Sequence, residues 1–182
     1  LISDSSEIEE LAASVEDCGG VVFVPALAGL GAPHWDPETR GLVAGLTRGS
    51  TAAHIARAAL EGIAFQINDI LAAMRTDLQQ EGTGTGNELL ELKVDGGASN
   101  NNLLMQFQAD LLRCEVSRPS ITSTTALGAA LQAGLTTGIF ESTDQIRESW
   151  REDLRFSPSM EEAEALGNQA RWEAAVRQAR TS

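Results

Sequence analysis

Cysteine, histidine and basic residues are all scarce in this chain. It carries two cysteines, Cys18 and Cys114, and two histidines, His34 and His54. None of them falls in a CxxC pattern or at metal-ligand spacing, so neither a disulfide scaffold nor a zinc site is expected. Cys114, at the start of a predicted strand, reads as a packing residue. Reduced thiols suit a cytoplasmic setting. Bases number 13 against 26 acids, a formal net charge of −13. That argues against a nucleic-acid partner, which wants a basic face. It does not argue against a nucleotide, because backbone dipoles and a metal ion can hold phosphate on an acidic protein. No apolar run approaches the roughly 18 residues of a membrane span, so no membrane partner is expected. No signal peptide is visible. The sequence starts at Leu1 with no Met before it, and a piece of a longer chain is the expectation.

What is present begins with 182 residues, 42% of them hydrophobic, enough for a real core. The most informative stretch is Val94-Asp95-Gly96-Gly97-Ala98-Ser99-Asn100-Asn101-Asn102. Leu90, Leu92 and Val94 before it alternate with polar residues, as in a half-buried strand. Leu103, Leu104, Phe107 and Leu111 after it fall at helical spacing. The segment reads as strand, tight glycine turn, helix. Two glycines without Cβ atoms let a flat or charged ligand approach the backbone. Exposed N–H groups at the following helix N-terminus would favour an anion. A nucleotide fits both features.

Elsewhere the pattern is alternating. Ser5 or Ser6 can cap a first helix with Ile8, Leu11 and Val15 on one face, ended by Gly19-Gly20. Val21 to Val24 reads as a buried strand stopped by Pro25. Residues 26–40 form an ordered loop rich in glycine and proline, and Gly41 to Leu46 a further strand. Leu60, Ile63, Ile67, Ile70, Leu71, Met74 and Leu78 place an apolar stripe on a long helix, Ala52 to Gln80, capped by Thr51 or Ser50. Gly82 to Gly86 reads as a surface connector, because it has no lysine and no strand leading into it. Glu115 to Arg118 make a short strand that Pro119 ends. Thr124 or Thr125 caps a helix over Ala126 to Gly134, whose Ala126, Ala130 and Gly134 share one face. That row reads as either a tight helix crossing at a hinge or an ordinary alanine-rich core helix. A last helix, Met160 to Arg177, aligns Leu166, Gln169, Trp172 and Val176.

Alternating strands and helices indicate an α/β fold. Only about four short strands can be found, and so thin a sheet leaves edges uncovered. Part of the fold is therefore expected to lie outside this chain. An open edge and apolar face predict a chain that self-associates or is only marginally stable, and a homo-oligomer is expected.

Three segments carry a family resemblance. They are Pro25-Ala-Leu-Ala-Gly-Leu-Gly-Ala-Pro-His-Trp-Asp-Pro37; Gly41-Leu-Val-Ala-Gly-Leu46 with His54-Ile-Ala-Arg-Ala-Ala-Leu-Glu61; and Asp95-Gly-Gly-Ala98 with Asn101, Leu104-Met-Gln-Phe-Gln108 and Thr125-Ala-Leu-Gly-Ala-Ala130. Together they resemble the C-terminal part of the FGGY family of carbohydrate kinases, in its glycerol kinase branch. His34 stands where that branch usually has tyrosine. The resemblance implies an actin-like ATPase (ribonuclease H-like) α/β domain over residues 1–182, incomplete at its N-terminal strands and lacking the N-terminal domain.

It further implies that ATP and Mg2+ bind between two domains and that the γ-phosphate goes to glycerol. Gly96, Gly97 and Ala98 would lie against the adenosine, and Asn101 would hydrogen-bond the nucleotide. The Thr125 to Gly134 helix would be the interdomain connector, which favours the hinge reading. The family's catalytic base sits in a Gly-Asp-Gln-Gln segment near the start of the C-terminal domain. None occurs here, so the base is expected upstream of Leu1, and no residue of this chain is expected to be catalytic. Asp95, at a strand end, reads as a turn-stabilising residue instead. These residues alone are therefore expected to be inactive. The alternatives are another FGGY kinase acting on a pentulose or gluconate, and a non-catalytic actin-like nucleotide-binding module. The Gly-Leu-Gly-Ala-Pro-His-Trp-Asp segment favours glycerol.

Overall fold

A computed structural model of the chain describes residues 2–80 and 89–180. Leu1, upstream of which the catalytic base is expected, lies outside the described residues, as does the Gly82 to Gly86 connector. Among the described residues the helices are α1 (Ile8–Ala13), α2 (Ala52–Gln80), α3 (Asn102–Leu112), α4 (Thr124–Thr136), α5 (Thr143–Ser149) and α6 (Glu162–Arg180). The strands are β1 (Val22–Val24), β2 (Leu42–Ala44), β3 (Glu91–Lys93), β4 (Glu115–Pro119) and β5 (Glu152–Phe156).

The strands form two sheets. β1 and β2 are antiparallel, with Phe23 opposite Val43. β3 runs parallel to β4, Leu92 opposite Val116, and α3 provides the crossover that a parallel pair needs. β5 closes the far edge of β4 in antiparallel register, Ser117 opposite Arg155. The sequence pattern misses both β5 and α5. Four of the five residues of β5 are exposed and only Phe156 is buried, so no alternation marks it. Pairing with β4 makes it a strand, helped by Arg155, whose Nη2 lies 2.9 Å from Glu91 and 2.6 Å from Glu152.

The core joins α1, α2, α3 and α6 to the strands. Trp172 of α6 is 1% exposed and stacks on Phe65 of α2 at 5.2 Å, while Phe65 meets Phe107 of α3 edge-on at 5.5 Å. The α2 boundaries are as expected, but its core face is not. Ala53, Ala56, Leu60, Ala64 and Phe65 are buried, whereas Ile63, Ile67, Met74 and Leu78 of the expected stripe are 37–55% exposed. Alanines and Gly62 share that inner face with Leu60 and Phe65, and at Gly62 α2 lies tight on β1. A Cβ on Gly62 would collide with the Phe23 carbonyl oxygen. On α6 the expected Leu166 is likewise outside, and Ala165, Asn168, Trp172 and Val176 point inward.

Several caps also differ from expectation. Asp4, not Ser5 or Ser6, accepts from the Ser6 N–H at 2.9 Å and opens a 3-10 turn leading into α1. α1 ends at Ala13, well before Gly19 and Gly20, whose positive φ values of 60° and 78° turn the chain into β1. At α2 the Thr51 N–H donates to His54 Nδ1 at 3.1 Å, so a histidine takes the role of the usual glutamate in a capping box. α4 starts at Thr124, preceded by Ser123, with no side-chain cap.

The ordered loop at 26–40 is clasped from both sides. Leu30 and Asp36 exchange backbone hydrogen bonds of 2.7 and 2.9 Å. His34 Nε2 lies 3.2 Å from Asp69 Oδ2 on α2, and the Trp172 indole N–H donates to that same oxygen at 2.8 Å. Arg180 reaches Asp36 at 3.3 Å.

Candidate functional site

Gly96, Gly97 and Ala98 come together as one exposed stretch of backbone at the C-terminal end of β3. Gly96 has φ 81° and ψ 174°, a conformation that a residue with a Cβ rarely adopts. It starts a short 3-10 turn, Gly97–Asn100. A Cβ built on either glycine meets nothing within 4 Å, so the space above the turn is open. Beneath it the turn is pinned. Ser99 is 2% exposed, and its hydroxyl donates to the Gly96 carbonyl at 2.7 Å.

Neighbouring elements fix the turn further. The Gly96 N–H donates to the Thr122 carbonyl at 2.9 Å. The Thr124 hydroxyl at the start of α4 donates to the Asp95 carboxylate. Asp95 thus ties the end of β3 to α4.

The expectation of an open helix N-terminus fails. Glu9 Oε1 of α1 accepts from the Asn102 and Leu103 N–H groups at 2.9 and 3.2 Å. Asn101 Oδ1 accepts from the Leu104 N–H at 2.8 Å, and the Met105 N–H donates to the Asn101 carbonyl. The first N–H groups of α3 are all spoken for, and a carboxylate already fills the place an anion would take. The open part of the turn, Gly96 to Ala98, is bare backbone that a ligand can approach closely. The cap uses Asn101 Oδ1 and leaves its Nδ2 amide as a donor.

Thr124 also lines a groove of about 740 Å³ between the end of β4, α4 and α5. Leu127, Leu131, Phe140 and Trp150 give it an apolar floor, and Lys93 Nζ sits 4.5 Å above the Trp150 ring. The small-residue row of α4 does not cross another helix among the described residues. Ala126 and Ala130 are exposed, while Gly134 packs on the Phe140 ring, which a Cβ would approach to 2.6 Å.

Other titratable groups stand apart from the turn. Burial pushes the Cys18 and Cys114 thiols up, away from the nucleophilic thiolate form. Burial also raises Glu61, with Arg57 opposing the shift. Among the described residues no group of three or more His, Cys, Asp or Glu is placed to hold a metal ion.

The sequence profile of the "FGGY family of carbohydrate kinases, C-terminal domain" matches residues 2–137. The chain belongs to this family. Among curated relatives, the FGGY chain is 55% identical to the glycerol kinase of Variovorax paradoxus (strain S110) over 178 residues, covering 98% of this chain and 35% of that protein. It is 56% identical to the glycerol kinase of Albidiferax ferrireducens over 177 residues, covering 97% of this chain and 35% of that protein. This FGGY segment thus spans about 35% of the length of the relatives it matches.

Among solved structures, a Plasmodium falciparum glycerol kinase with ADP superposes with a TM-score of 0.84 at 34% identity, covering 98% of this chain and 34% of that one. A gluconate kinase from Lactobacillus acidophilus gives 0.73 at 21% identity, covering 95% and 33%, a likeness of fold alone. These neighbours carry the actin-like ATPase fold of FGGY kinases, so the α/β expectation holds.

Two residues that brace this region carry no mark in the sequence: Glu9, which accepts from the first residues of α3, and Arg118, whose Nη1 donates to the Ser99 carbonyl at 3.0 Å. Glu9 lies 93 positions from Asn102, and no local pattern links two such residues.

Proposed function

We propose that this segment is the adenine-nucleotide side of an ATP-dependent glycerol kinase, in which the ATP γ-phosphate passes to a primary hydroxyl of glycerol to give glycerol 3-phosphate. The carrying observation is the open Gly96-Gly97-Ala98 backbone in a chain 55% identical to glycerol kinases along nearly its whole length. The ADP-bound glycerol kinase with the same fold supports it.

In this reading the bare turn lets adenosine lie on the backbone, and Asn101 Nδ2 donates a hydrogen bond to the nucleotide. Asp95 and Ser99 hold the turn and take no proton. Phosphoryl transfer depends on positioning and on electrostatic stabilisation of an in-line displacement. The residues here do the positioning. The base that receives the glycerol proton belongs to a Gly-Asp-Gln-Gln segment outside this sequence. Mg2+ carried by the phosphates would neutralise their charge. Two buried free thiols accord with a reducing, cytoplasmic setting.

The test is ADP release by the full-length protein carrying this segment, given ATP with glycerol, a pentulose or gluconate in turn. Glycerol-dependent turnover is expected. Transfer to a sugar or gluconate but not to glycerol overturns the substrate. ATP binding without transfer to any of them favours a non-catalytic module.

A further inference from the structure

Arg118 reaches under the turn. It projects from β4, and its side chain is 11% exposed. Nη1 donates both to the Ser99 carbonyl at 3.0 Å and to Asn102 Oδ1 at 2.9 Å. The other side of the fork faces β5, where Nε and Nη2 lie 2.9 and 2.8 Å from Asp153 Oδ2. The guanidinium carbon sits 5.7 Å from the Phe156 ring centroid. One planar group therefore links the sheet edge to both ends of the segment between Ser99 and Asn102. Asn101, the cap of α3, lies between those two contacts.

We propose that Arg118, oriented by Asp153, is a positioning residue for nucleotide binding: it sets the Gly96–Asn101 backbone in the shape that receives adenosine. The inference rests on the reading of this turn as the nucleotide surface. Arg118 touches no ligand itself. It acts through Ser99, whose hydroxyl and N–H both return to the Gly96 carbonyl, at 2.7 and 3.2 Å, and through Asn102, the first residue of α3. A buried guanidinium bonded on both sides is preorganised, so little order remains to be gained when a nucleotide arrives. Its planar fork also explains why lysine cannot replace it fully. A single ammonium cannot span Asp153 on one side and two oxygens on the other.

The experiment compares Arg118→Gln, Arg118→Lys and Asp153→Asn with wild type in the full-length protein carrying these residues. Two readouts are taken: amide hydrogen exchange over 99–104, and ADP affinity with KM for ATP and glycerol. Arg118→Gln is expected to speed exchange at the turn and to weaken ADP and raise the ATP KM about tenfold, with glycerol KM and kcat changed less than about twofold. Arg118→Lys and Asp153→Asn should fall between it and wild type.

Equal exchange and equal ADP affinity in Arg118→Gln and wild type overturn the proposal. So does a loss of kcat with KM for ATP unchanged, which would mark a merely structural role. If Arg118→Gln fails to fold, Asp153→Asn, which keeps the guanidinium, decides by the same two readouts. Failure of wild type to bind ADP is a different result. It removes the nucleotide reading and the proposal with it, while faster exchange in the variants would still show that Arg118 orders the turn.

Discussion

Glu9 Oε1 lies 2.9 Å from the backbone nitrogen of Asn102, a carboxylate set against the N-terminus of α3. It also receives the Leu103 N–H, so a residue from the first helix does for α3 what a bound anion does elsewhere. The chain thereby satisfies the N-terminus of α3 from within and leaves Gly96 to Ala98 as the open part of the turn.

Removing that carboxylate should have two separable effects. Glu9→Ala leaves two helix N–H groups without their acceptor and should cost about 1 kcal/mol, as loss of a helix cap does. Chemical denaturation measures it. The same variant should let inorganic phosphate shift the Asn102 and Leu103 amide resonances, while wild type shows no such shift. Phosphate binding of equal strength in both would contradict the intramolecular cap.

Gly97→Ala separates fold from ligand. The added Cβ meets no atom within 4 Å and Gly97 does not sit at positive φ, so stability should change by less than about 0.5 kcal/mol. The methyl group would stand where adenosine is proposed to lie. ATP affinity of the full-length protein should fall about tenfold, read by calorimetry. Gly96→Ala is the contrasting case. Its φ of 81° makes any side chain strained, and roughly 1 kcal/mol of stability should be lost.

The buried carboxyl of Glu61 gives stability a pH dependence of definite sign. Burial raises it above the usual carboxylate value even though Arg57 Nε donates to it at 3.2 Å. The folded chain therefore binds this proton more tightly than the unfolded chain does. The group's contribution is complete below the usual carboxylate value and is lost as pH rises through the raised one. Glu61→Gln cannot ionise. Its stability relative to wild type should rise with pH across that window and then level off. Denaturation midpoints taken across the acid range test this, and a flat or falling difference would refute it.

The exposed side of α2 carries Ile63, Ile67, Met74 and Leu78, spaced as one stripe along the helix. Apolar surface of this kind favours association. The 182-residue chain is expected to self-associate, and Ile67→Glu with Met74→Glu should shift it toward monomer. Sedimentation velocity over a range of concentrations reads the change. An unaltered distribution would place the contact elsewhere.

Local rules carried much of the fold. Periodicity located α2 at Ala52–Gln80, because a helix needs only apolar recurrence and a start signal. The run from Leu90 to Leu111 announced strand, turn and helix, because alternation gives way to helical spacing across two glycines. The same run pointed to Gly96, Gly97 and Ala98, which the structure leaves exposed, and to Asn101, which caps α3.

Where local rules failed, a neighbour had decided the outcome. β5 has almost no buried face and exists because β4 pairs with it. Where α2 lies on β1 its inner face carries Gly62, because a Cβ there would meet the Phe23 carbonyl oxygen. The sequence by itself determined which segment would turn and that glycine would bare its backbone. Only the tertiary structure decided how that turn is held. Glu9 and Arg118 lie far from it along the chain yet within hydrogen-bond reach of it in space, and no periodicity records a distance that folding creates.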